Sequence, residues 1–164
     1  MQRLAFGFVG ALAFLSLASP ASALPDGPIE PYLEHQESVV PFVWPANGSL
    51  TDGFGPRWGR LHAGIDIGIL AALDVVAARE GVVTQTGYLT GFEGYGNVVL
   101  IDLGEGLRTL YAHLSQIDVR PGQWVSTGQR LGLAGCTGSC TGTHRHFELH
   151  RGGTPVDPLP LFDS

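Results

Sequence analysis

The stretch NVVLIDLGEGLRTLYAHL, Asn97–Leu114, decides the fold class. Two runs rich in Val, Ile and Leu flank the glycine-bearing tetrapeptide LGEG, residues 103–106, and this reads as an antiparallel hairpin pairing Asn97–Asp102 with Leu107–Leu114. Alternation places Leu107, Thr109, Tyr111 and His113 on one face of the second strand, and Arg108, Leu110, Ala112 and Leu114 on the other. His113 is thus expected to share a face with Tyr111. Outward from the hairpin the pattern repeats in short β-branched runs punctuated by Gly or Pro-Gly, as in DVVAAREGVVTQTGYL (74–89) and VRPGQWVSTGQRLG (119–132). No segment holds a 3.6-residue apolar period beyond about two turns. The expected fold is all-β, mainly antiparallel sheets with short loops and little helix.

The chain has 164 residues, enough for one domain with a core of its own. Its first residues read Met1-Gln2-Arg3, an apolar run from Leu4 to Leu17, and ASPASA ending at Ala23. That is the pattern of a secretory signal peptide, 1–23, whose run of about 14 residues is short of the roughly 20 that span a bilayer. Residues 24–40, rich in Pro and Glu and containing His35, read as an arm, and 41–162 as the domain. Cleavage after Ala23 leaves eight Arg against fifteen acidic residues, a net charge of −7. No nucleic-acid partner and no stable membrane insertion are expected of such a chain, and a monomer is the expected state. Export also bears on the two cysteines of CTGSC, Cys136 and Cys140. A disulfide between them is favoured over two buried thiols, and a closed zinc site would need four ligands where only two Cys exist.

GTHRHFELH, Gly142–His150, carries three of the six histidines. As a strand it sets His144, His146, Glu148 and His150 on one face and turns Phe147 and Leu149 toward a core. A merely polar strand face would look the same. LHAGIDIG adds His62 and Asp66 at a spacing of four. A straight strand would hold their Cα atoms about 13 Å apart, too far to share a metal bound about 2 Å from each donor. Gly64 and its β-branched neighbours disfavour a helix, so the chain is expected to bend at Ala63-Gly64.

An HxxxD motif, a YxH strand and an HxH strand in that order resemble the lysostaphin-type, LytM-domain zinc metallopeptidases that cut peptide bonds in peptidoglycan. The similarity runs from about Pro41 to Phe162, through FVWPANGSLTDGFGPR, HAGIDIG, the hairpin, TGTHRHFEL and GTPVDPLP. The resemblance implies a β-sandwich-like domain holding one Zn2+ per chain on His62, Asp66 and His146, with His113 and His144 as unligated catalytic imidazoles. All five positions are filled, whereas activators that have lost peptidase activity typically lack some of them. Arg145 stands where Leu is frequent between the two histidines, and Thr143 where Pro is frequent.

The implied chemistry is hydrolysis of peptidoglycan cross-links, with the peptide as substrate. There is no HExxH and hence no helix-borne Glu base, so an imidazole is the available proton acceptor. Glu148 is a candidate to orient a ligand imidazole. Tyr111 is either packing or an oxyanion donor, with packing preferred, and His150 is expected to lie too far along the strand to join. The competing class is a non-catalytic wall-binding or amidase-activating domain with structural zinc. A biotinyl or lipoyl carrier, suggested by VRPGQWVSTGQRLG, is excluded because it needs a modifiable Lys and the chain has none. A periplasmic location with D-alanyl-diaminopimelate bridges as substrate is expected, with secretion and action on other walls or glycine-rich peptides left open.

Overall fold

The computed structural model describes residues 41–162. The expected signal peptide and arm, with His35, lie outside the described residues. Short runs separated by Gly and Pro become short strands: β1 (Ser49–Asp52), β2 (Gly55–Arg57), β3 (Arg60–His62), β4 (Ile65–Gly68), β5 (Asp74–Val76), β6 (Gly81–Tyr88), β7 (Asn97–Gly104), β8 (Leu107–Ala112), β9 (Leu114–Ile117), β10 (Trp124–Val125), β11 (Arg130–Ala134), β12 (Arg145–Arg151) and β13 (Thr154–Val156). The helical content among the described residues is two 3₁₀ turns, Glu93–Tyr95 and Leu159–Leu161. The fold is all-β and antiparallel.

The large sheet runs β1-β4-β12-β8-β7-β6-β10, and β13 pairs with the far half of β12. A three-stranded sheet, β5-β11-β9, and the β2-β3 ribbon complete the set. One apolar cluster joins the large and the three-stranded sheet: Ile65, Ile67, Val83, Val99, Ile101, Tyr111 and Phe147 pack with Val75, Leu114, Leu131 and Ala134. On the opposite face of the large sheet, Val98, Leu100, Leu110 and Ala112 form a smaller cluster under Leu89, Phe92 and Tyr95. β7 and β8 are therefore apolar on both faces, whereas β12 gives Phe147 to the larger cluster and carries His146 and Glu148 on its other face; each fully buried aliphatic side chain contributes about 1.5–3 kcal/mol.

The expected hairpin forms, with two differences. Glu105 and Gly106, at φ 51° and 73°, make a two-residue turn of the kind that matches strand twist, so Leu103 and Gly104 belong to β7 and not to the turn. The second strand ends at Ala112, because His113 adopts φ 59° and the chain leaves the large sheet to enter β9 of the smaller one. This corner overturns the expected placement of His113 beside Tyr111. Tyr111 faces the large core with no exposed surface, and its hydroxyl accepts a hydrogen bond from the Ala78 amide at 2.8 Å. It is packing. His113 turns to the other side.

Candidate metal centre

His62 ends β3 and Asp66 sits in β4, with the break at Ala63-Gly64 between them. Gly64 permits the bend to lie against β12: a Cβ there would come within 2.1 Å of the Phe147 carbonyl. The antiparallel register sets His146 opposite Asp66 on one side and Ala112 on the other. Three donors converge as a result. His62 Nε2 lies 3.2 Å from His146 Nδ1 and 3.3 Å from Asp66 Oδ1, and His146 Nδ1 lies 2.8 Å from Asp66 Oδ1. A tetrahedral zinc about 2.0 Å from each donor requires edges of about 3.3 Å, so two edges already match and the third closes by a hydrogen bond. Two nitrogens and one carboxylate oxygen suit zinc, and three protein donors leave a coordination position open.

Each of the three donor atoms is aimed by a second contact. His62 Nδ1 donates to the Gly53 carbonyl at 2.6 Å, leaving Nε2 as the free lone pair. His146 is reversed: its Nε2 donates to Glu148 Oε1 at 2.9 Å, so Nδ1 faces the triangle. Glu148 Oε1 also accepts from the Tyr95 hydroxyl at 2.7 Å, and Oε2 from His150 Nε2 at 2.5 Å. His150 does not reach the triangle, yet it is wired to it through Glu148. Asp66 Oδ2 accepts from Arg57, which also pairs with Asp52.

Burial pushes the Asp66 carboxyl upward, but the hydrogen bond from His146 and the nearby imidazoles outweigh it and hold the group well below the usual carboxylate range. For Glu148, burial is likewise outweighed by the bonds from His146 and His150, leaving it at about 2. His146 shows the converse, since burial lowers it and the two carboxylates raise it further. Both acids are therefore anions at neutral pH, Asp66 on the triangle itself and Glu148 behind the His146 ring.

Two more imidazoles flank the triangle. The His113 and His144 ring centres are 4.7 Å apart, His113 is 6.1 Å from His146, and His144 Nε2 is 3.8 Å from Asp66 Oδ1. A carbonyl oxygen can only accept, so His113 Nδ1 donates to Thr137 at 2.8 Å and His144 Nδ1 to Gly142 at 2.7 Å. With Nδ1 so engaged, Nε2 is the nitrogen that each ring keeps for the groove. Burial, against the Thr137 carbonyl, lowers the His113 pKa and keeps the ring neutral.

Those two carbonyls belong to one loop between β11 and β12, crossed by the Cys136–Cys140 disulfide, Cα–Cα 5.3 Å, and closed at its base by the Gly135–His144 bridge. The loop docks on the 94–96 segment: Ser139 donates to Gly94 at 2.9 Å, and Gly138, at φ 72°, has no room for a Cβ, which would lie 2.3 Å from the Gly96 nitrogen. Tyr95, Arg57 and Thr137 are the site residues that sequence reasoning missed. GYGN and FGPR were visible as strings, but nothing local ties either to a histidine.

A groove of about 660 Å³ opens over the triangle, walled by Arg57–His62 on one side and Ser139–His144 on the other. Arg145, which stands between the two histidines, is not among the residues that line the groove. It is fully buried beside Tyr111, its Nη1 donating to the Ala112 carbonyl at 2.7 Å and its Nε and Nη2 unpartnered.

Residues 60–158 match the model of peptidase family M23. The chain is 42% identical over 119 residues to the peptidoglycan DD-endopeptidase ShyA of Vibrio cholerae, covering 67% of this chain and 26% of that protein. It is 40% identical over 122 residues to the lipoprotein NlpD/LppB homolog of Pseudomonas aeruginosa, covering 74% and 40% respectively. The chain thus spans well under half the length of these curated relatives. The catalytic domain of lysostaphin from Staphylococcus simulans superposes with a TM-score of 0.64 at 31% identity, covering 72% of this chain and 94% of that domain. On this match, and on the all-β fold with its three-donor triangle, the chain belongs to peptidase family M23, the LytM type.

Proposed function

We propose that this chain is an exported zinc endopeptidase that hydrolyses peptide cross-links of peptidoglycan. The observation that carries the reading is the convergence of two imidazoles, each anchored through Nδ1, on a triangle of three donor atoms that could hold a metal ion. His62, Asp66 and His146 would hold the zinc. Zinc, when bound, supplies Lewis acidity toward the scissile carbonyl and acidifies a water molecule. The chain's own groups handle the proton. His113 and His144, anchored at Nδ1, accept it from the attacking water, return it to the leaving amine and hydrogen-bond the oxyanion. Glu148 and the Gly53 carbonyl keep the ligand imidazoles in the required tautomers. Among the described residues no helix is long and apolar enough to cross a membrane.

A non-catalytic, amidase-activating role is the second reading, raised by the murein hydrolase activator NlpD of Salmonella dublin among the relatives. Purified protein incubated with sacculi decides between them. Peptide-bond fragments identified by mass spectrometry, lost with a chelator and restored by zinc, are expected. Intact cross-links at every zinc concentration would leave the activator reading.

A further inference from the structure

The groove's two walls differ in chemistry. One, Ser139–Thr143, offers small hydroxyl and glycine surface around the disulfide. The other is the β2–β3 ribbon, and it carries two arginines. Arg57 is committed, held by Asp52 and Asp66 with its guanidinium 4.7 Å from the Trp58 ring centre. Arg60 is not. It is exposed, it lines the groove, and it has no hydrogen bond or ion pair among the described residues. Alternation along β3 puts Arg60 on the same side of the ribbon as the ligand-set residue His62, two positions on. Beside it Trp58, 85% exposed at φ 48°, stands at the ribbon tip and also lines the groove. The chain as a whole carries a formal charge of −6, so an unneutralised guanidinium here is a local feature, set against the general charge.

We propose that Arg60 binds a free carboxylate flanking the scissile amide, and so selects links to a diamino acid carboxylated at the linking carbon over links to glycine or to a plain side-chain amine. A guanidinium offers paired donors in the plane of a carboxylate. Substrate lying in the groove, with Trp58 at its edge, covers the pair from water and strengthens it. The inference rests on the hydrolase reading and on the diaminopimelate bridges that the family resemblance implies, and adds the residue of this chain that reads their carboxylate.

The test uses two matched peptides in which D-alanine acylates the amine of a diaminodicarboxylic acid. In one the neighbouring carboxylate is free, and in the other it is a primary amide. Wild-type zinc enzyme is expected to prefer the free acid by about tenfold or more in kcat/KM, chiefly through KM, as a covered charge-assisted bond implies. Arg60→Gln should bring the ratio near one, and Arg60→Lys should restore part of it. Calorimetry of both peptides on chelator-treated protein gives the same comparison without turnover. Equal turnover of the two by wild type, with Arg60→Gln no different, overturns the role of Arg60 and leaves the peptidase standing. Turnover of neither overturns the hydrolase reading. In that case the calorimetry still decides Arg60, since equal affinity for acid and amide ends the proposal and a tenfold difference abolished by Arg60→Gln sustains it.

Discussion

Glu148 offers the most discriminating perturbation, because its carboxylate is 1% exposed and serves three donors at once: His146 at 2.9 Å, Tyr95 at 2.7 Å and His150 at 2.5 Å. Glu148→Gln keeps the shape but removes the charge and turns one acceptor site into a donor. His146 then loses the anion that makes Nδ1 a better ligand. Replacing an outer partner of a metal-bound histidine typically lowers metal affinity by about 10–100-fold, or about 1.4–2.7 kcal/mol. Glu148→Ala goes further, since each stranded buried donor costs about 1–3 kcal/mol, and three of them are enough to threaten a domain of ordinary stability. Zinc affinity is measured by competition with a chromophoric chelator, and zinc-free stability by denaturant unfolding. The pH dependence supplies the sign. The Glu148 carboxyl is depressed from 4.5 to about 2, so its stabilising contribution is complete above pH 4.5 and is lost as pH falls toward 2. The Gln variant should therefore show a flatter acid limb across that window. Wild-type zinc affinity together with an unchanged acid limb in Glu148→Gln would refute the argument.

His146→Ala should lose zinc and activity together, whereas His144→Ala should keep zinc and fold while turnover drops about a hundredfold or more; zinc analysis beside kcat separates them, and near-normal turnover in the second would remove His144 from the chemistry. The double substitution Cys136→Ser and Cys140→Ser frees the loop that holds His113 through Thr137 and His144 through Gly142. It should lower kcat by about tenfold or more with zinc retained, and an unaltered kcat would show that the loop is held by its other contacts. Arg145→Met exchanges a buried cation with two unpartnered nitrogens, its pKa pushed down to about 9 by burial, for an apolar side chain. Denaturant unfolding should show a change between neutral and a gain of about 3 kcal/mol, and a clear loss of stability would mean that the bond to the Ala112 carbonyl matters more than the desolvation it costs.

What was legible in the sequence was what short-range periodicity and metal geometry dictate. Alternation in 97–112 reads directly as paired strands. The demand that His62 and Asp66 share one metal forces a bend, and Gly64 is where the backbone can make it. The corner at His113 was not legible, because YAHL continues the alternation of β8 and a non-glycine residue at φ 59° leaves no local mark. Tyr95 lies 53 residues from the carboxylate it bonds, and Thr137 lies 24 from the ring it orients. Both pairings come from the docking of the disulfide loop on the 94–96 segment, a close approach that depends on Gly138 and that no spacing announces.

The burial of β12 explains why so much polar chemistry collects on one strand. Its first five residues, Arg145 to Leu149, are all buried, although period two would have given the strand a wet face. Buried polar groups survive only when satisfied, and the face carrying His146 and Glu148 is satisfied by its own set of partners: Asp66 on one side, Tyr95 and His150 on the other. The opposite face carries Arg145 with a single bond and two stranded nitrogens. That bond ends on the carbonyl preceding His113. The same strand thus joins a satisfied network at the metal triangle to an expensive contact at the corner, and the corner is where the chain changes sheets to deliver its second imidazole to the groove. Packing and chemistry are not separable along this strand, so substitutions on either face of β12 should register in both stability and turnover.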